Sequence, residues 1–174
     1  YVPTPRSDMP YFYAANARDP RLGIVHEGAH YQQLVLSWRN PRTIRRWYYD
    51  SGANEGIAFY NEEMLAVAGL FSDSPKSETS IFNLMKLRAL RVIIDVSLAC
   101  EIMTIEDATN FLSKKIPVDL ETARDEATFF AAYPGQGITY QIGKTQIITL
   151  LSDLKRDQKL SFSLRNFHAY ICIN

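Results

Sequence analysis

The stretch ETSIFNLMKLRALRVIIDVSLACEI, residues 78–102, decides the fold. Its apolar residues fall at Ile81, Leu84, Met85, Leu87, Leu90, Val92, Ile93, Val96 and Leu98, nearly all round a helix. A helix apolar on all sides must be covered, so this one is expected at the centre and buried. Towards the N-terminus, the turn Ser72-Asp73-Ser74-Pro75 and Gly69 close a helix over about 52–70, capped by Asp50 or Ser51. Before it, Asp19 and Pro20 open a helix that runs to about Trp38, where Asn40-Pro41 stops it. Residues 1–16 hold three prolines and four aromatics and read as an extended arm.

Towards the C-terminus, Thr104-Ile105-Glu106-Asp107 is an acidic variant of a capping box and opens a short helix to about Lys114. Asp119 caps another that ends before Pro134-Gly135, residues 136–155 form the next, and Ser161 or Ser163 starts the last. Period-2 alternation is rare. The expected fold is all-α, a single helical domain of about seven helices.

The chain has 174 residues, 47% of them apolar, enough for a real core rather than a disordered chain. Nineteen basic residues balance nineteen acidic ones, so there is no global field for nucleic acid or anionic lipid. Arg39, Arg42, Arg45 and Arg46 form a local basic run, which by itself reads as a solvated face. No run approaches the ~18 apolar residues of a membrane span. Cys100 and Cys172 make no disulfide framework, and Cys100 is expected as a small buried apolar residue. The chain begins at Tyr1 without Met and stops at Ile173-Asn174 inside a helix, so it is expected to be part of a longer polypeptide.

The chemistry sits in His26-Glu27-Gly28-Ala29-His30. Histidines four apart share one helix face, ~6 Å along the axis, and both imidazoles can reach one zinc ion. Glu27 stands beside such an ion, where a general base acts on metal-activated water. Gly28 and Ala29 leave room for substrate. A third ligand is needed, with one position left open. Glu55, Glu62 and Glu63 are candidates, and twenty-four residues between His30 and Glu55 suffice for an antiparallel return. Glu62 and Glu63, two turns on, suit supporting or surface positions better. The bland alternative is two histidines and a glutamate sharing a face by chance.

His26 to Leu34, with Glu55 to Glu63, resembles the gluzincin metallopeptidases, and more narrowly the bacterial "domain of unknown function 885" family. Arg88 to Asp95, Pro134 to Lys144 and Phe167-His168 match further blocks of that family in the same order. Many members carry a longer Pro-Gly link between the two histidines, whereas this chain has the compact spacing. The resemblance implies a mainly helical zinc peptidase, extracytoplasmic in bacteria, of which this chain is the C-terminal part. An N-terminal half would supply another wall of the cleft.

On this reading His26, His30 and Glu55 hold one zinc ion, and Glu27 is the general base in hydrolysis of a peptide substrate. Tyr140 and His168 are candidates to donate to the oxyanion. Tyr140 reads equally well as a core aromatic, and His168, beside Phe167, as a packing residue. Asp95 needs a partner on so apolar a helix. Arg91 at i−4 is the structural choice, and support of a zinc histidine or of a substrate-side arginine the functional one. Arg88 could meet a substrate carboxylate. The competing functions are a non-catalytic helical binding domain that keeps the motif, and a non-peptide amide or ester hydrolase.

Overall fold

A computed structural model describes residues 4, 6 and 8–173. The described residues form nine α-helices: α1 (Tyr11–Arg18), α2 (Arg21–Ser37), α3 (Thr43–Trp47), α4 (Ser51–Val67), α5 (Pro75–Ala99), α6 (Ile105–Lys115), α7 (Leu120–Ala132), α8 (Gln136–Gln158) and α9 (Leu164–Ile173). A 3-10 turn, Lys159–Ser161, joins the last two, and the described residues hold no strand. None of these helices is long and apolar enough to cross a membrane.

Helix α5 is the central element, packed on α4, α6, α7 and α8. Its Leu87, Leu90 and Ile94 meet Ala108 and Leu112 of α6 and Ala123, Ala127 and Phe130 of α7 in one core. A second core joins Ile81 and Leu84 to Ala15, Leu22, Val25 and Phe71. The all-round burial expected of this helix is incomplete, because Phe82, Ile93 and Val96 are exposed.

The helix starts follow local chemistry. Asp50 accepts from the Ala53 N–H at 3.0 Å. Thr104 and Asp107 complete the reciprocal capping box. Asp119 accepts from the Thr122 N–H at 2.8 Å. Helix α5 begins one turn earlier than the apolar pattern suggests, since Pro75 occupies the first turn and Ser74 caps it.

Helices α4 and α8 approach backbone to backbone. A Cβ on Gly143 would overlap the Gly52 carbonyl oxygen, and one on Gly56 would collide with the Gly143 main chain. Only glycine permits this contact, which sets α8 against the first turns of α4.

Three expectations are corrected. The arm expected over residues 1–16 is helical from Tyr11 onward, and residues 1–3, 5 and 7 lie outside the described residues. The Tyr11 N–H docks that helix by donating to Asp119 at 2.8 Å, a long-range tie that no local pattern announces. Helix α3 is additional. At five residues it is too short to carry a periodic signal. Cys100 is exposed, because it falls at the C-terminal cap of α5 rather than within the helix.

Candidate metal centre

The α2–α4 pair builds the site. Helical spacing puts His26 and His30 one turn apart on α2. Their Nε2 atoms lie 3.1 Å from each other. Glu55, in the second turn of α4, brings Oε2 to 3.3 Å from His26 Nε2 and 3.7 Å from His30 Nε2. The three donor atoms therefore converge within 4.8 Å. Three ligands on a tetrahedral ion with bonds of about 2.05 Å stand roughly 3.3 Å apart. The observed separations bracket that value. Glu55 Oε2 is also buried with no hydrogen-bond donor in bonding geometry, and His30 Nδ1 is buried with no partner in bonding geometry. A buried carboxylate oxygen without a donor is costly unless a cation meets it. The residues present fit a divalent ion with nitrogen and oxygen ligands.

Behind the cluster stands Glu62, fully buried on α4. Its Oε1 lies 2.7 Å from His26 Nδ1 and 2.6 Å from an Arg88 guanidinium nitrogen. Arg88 also comes within 3.3 Å of Nδ1, but arginine only donates. The shorter contact fixes the tautomer: Nδ1–H donates to Glu62, and the Nε2 lone pair faces the cluster. Burial works against charge on Glu62, and the Arg88 charge overcomes it, holding the carboxyl below its ordinary range. Glu55 is likewise lowered: burial works against its charge, and the neighbouring His26, then His30, outweigh it. His30 is pushed down by burial and by neighbouring His26. His26 is raised, since Glu55 and Glu62 outweigh its burial. Glu63 points elsewhere and pairs with Lys144 of α8 at 2.6 Å. The Asn61 side chain donates to the Val25 carbonyl at 2.7 Å and fixes α4 against α2 beside His26.

Glu27, on the exposed side of α2, lines a cavity of about 210 Å³ with His26, Arg88, Arg91 and Tyr140. The Tyr140 ring stacks on His26 at 6.2 Å. Guanidinium groups of Arg91 and Arg88 lie 5.0 and 5.5 Å from its centre. Burial, with the Glu55 carboxylate adding to it, pushes the Tyr140 hydroxyl up to about 12, so it stays protonated at neutral pH and can donate.

His168 is elsewhere. It hydrogen-bonds the Tyr60 hydroxyl at 2.9 Å and lines a separate, largely apolar cavity of about 580 Å³ with Leu36, Met64 and Leu164. Burial lowers its basicity. Asp95 and Arg91 do not pair with each other, which corrects the i−4 expectation. Arg91 donates to both carboxylate oxygens of Glu126 on α7, at 2.7 and 2.6 Å. Asp95 accepts from the Gly135 N–H at 2.8 Å and the Ile138 N–H at 3.1 Å. It thereby caps α8 one turn before Tyr140, where the left-handed Gly135 (φ 91°) offers no side chain to do so. The α5–α7 and α5–α8 ties escaped the sequence because local spacing cannot compete with partners brought in by tertiary packing.

An all-helical domain carrying a His–His–Glu cluster on two adjacent helices is the class so defined. The chain belongs to the family described as bacterial protein of unknown function (DUF885), whose model matches residues 14–171. It is also similar in fold to a crystal structure from Colwellia psychrerythraea described as a "putative lipoprotein", with a TM-score of 0.76 and 24% identity over 81% of this chain. The match covers 24% of that protein, so this chain spans about a quarter of its length. Curated proteins return no match.

Proposed function

We propose that this chain carries the metal centre of a zinc-dependent hydrolase of the gluzincin type, acting on peptide bonds. One observation carries the reading: His26, His30 and Glu55 converge on a single point at ligand-like separations, with a buried Glu55 oxygen left without a donor. His26, His30 and Glu55 would hold the ion, and Glu62 would orient His26. When bound, zinc supplies Lewis acidity that polarises the scissile carbonyl and acidifies water. Glu27 takes the proton from the attacking water and passes it to the departing amine. The Tyr140 phenol donates to the oxygen on which negative charge develops, and Arg88 and Arg91 hold that ring in place.

The test is zinc stoichiometry by elemental mass spectrometry on the native chain and on His26→Ala and Glu55→Ala. The expected result is one zinc per native chain and loss in both variants. Retention in Glu55→Ala would move the third ligand elsewhere. No zinc in the native chain after loading would overturn the reading. A peptide-library screen then separates a peptidase from a non-catalytic metal-binding domain.

A further inference from the structure

The second half of α2 turns a face away from the bundle. Tyr31, Leu34, Val35 and Trp38 follow one another at helical spacing, and all four are exposed. Helix α3 and the segment after it extend this surface with Ile44, Trp47, Tyr48 and Tyr49, also exposed. Trp38 (52% exposed) and Trp47 (71% exposed) meet edge to face at 4.9 Å, and they are the two tryptophans of the chain.

The same segment is basic without compensation. No acidic residue occurs between Glu27 and Asp50, while Arg39, Arg42, Arg45 and Arg46 fall inside that interval. Among the described residues these arginines form no ion pair, and Asp50 is engaged in capping α4. Arg46 donates to the Asn40 and Pro41 carbonyls instead. On a chain of zero net charge, this is a local positive field laid over an aromatic surface.

We propose that residues 31–49 form a peripheral docking surface for an anionic lipid bilayer. Tryptophan and tyrosine rings have an apolar body and a polar edge, and they settle at headgroup depth. Arginine forks fit phosphate oxygens. An outward apolar stripe flanked by arginines is the composition of a surface that lies in the interfacial plane. Single-stranded nucleic acid fits less well, because the exposed aliphatic Leu34, Val35 and Ile44 within this surface offer a base nothing to stack on.

Because both tryptophans lie in this surface, their emission reports on it alone. The whole chain is titrated with vesicles of phosphatidylcholine containing one-third phosphatidylglycerol, and with vesicles of phosphatidylcholine only. The expected result is a blue shift and co-sedimentation with the anionic vesicles, both weakened by high salt. The exposed pair Arg42→Gln/Arg45→Gln should lower the partition coefficient about 25-fold, about fivefold for each charge. Its circular dichroism melt, which should match the native chain's, controls for folding. Absence of a shift with anionic vesicles, or equal binding by the double variant, would overturn the proposal. So would an emission shift that tracks protein concentration together with a dimer in analytical ultracentrifugation, which would assign the surface to a second copy of the chain.

Discussion

At the residue scale, the chemistry turns on side chains whose neighbours determine their state. Glu62 is the informative case. It touches no ligand point, but it holds the proton on His26 Nδ1 and thereby aims Nε2. Glu62→Gln should weaken zinc binding about 10- to 100-fold in a chelator-competition titration, while the cluster itself is retained. Glu27→Gln should lower turnover about 10²- to 10⁴-fold with zinc content unchanged, which separates a base from a ligand. In the metal-free chain, the carboxyls of Glu55 and Glu62 both lie below their ordinary titration range. Groups depressed in the folded state stabilise it above their unfolded values and lose that contribution as pH falls through the folded ones. Melts of the metal-free chain should therefore drop in temperature below about pH 4.5, and Glu62→Gln should flatten that drop. The two histidines and Glu27 were legible in the sequence, because helical spacing alone places them. The role of Glu62 was open there: its i+7 offset from Glu55 gives the same face, but only packing shows that the face leads behind His26.

At the element scale, the α4–α8 contact is the constraint most exposed to test. Gly143→Ala puts a methyl group into the Gly52 carbonyl, and the collision is with backbone, which cannot swing aside. A loss of about 1–3 kcal/mol or more is expected, read as a lower denaturant midpoint. Asp95→Ala should cost about 0.5–2 kcal/mol as well, since it removes the buried acceptor that caps two N–H groups at the start of α8. Capping signals gave the starts of α4, α6 and α7 because they are local. The partner of Asp95 was not legible, because the nearest residue in sequence, Arg91, is drawn off by Glu126 on another helix.

At the scale of the whole molecule, the seven helices expected from periodicity are present, and the two that were missed are the shortest. Apolar periodicity needs several turns to emerge, and α1 and α3 are only eight and five residues long. If the cluster binds zinc, the ion ties α2 to α4 across the bundle. Saturation at 1,000 times the dissociation constant would then stabilise the chain by about 4 kcal/mol. A chelator should accordingly lower the melting temperature by about 8–16 °C, with little change for His26→Ala.

The glycine contact has a mechanical consequence. Glu55 rides on α4 and Tyr140 on α8, and those two helices are locked backbone to backbone. Asp95 pins the near end of α8 to α5 as well. The cavity beside Glu27 therefore has one rigid jaw. Its other lip is Phe12 and Asn16 of α1, a helix of only eight residues. Widening of this cavity is expected at that lip, and backbone amides of α1 should exchange hydrogen well before those of α8 around Tyr140.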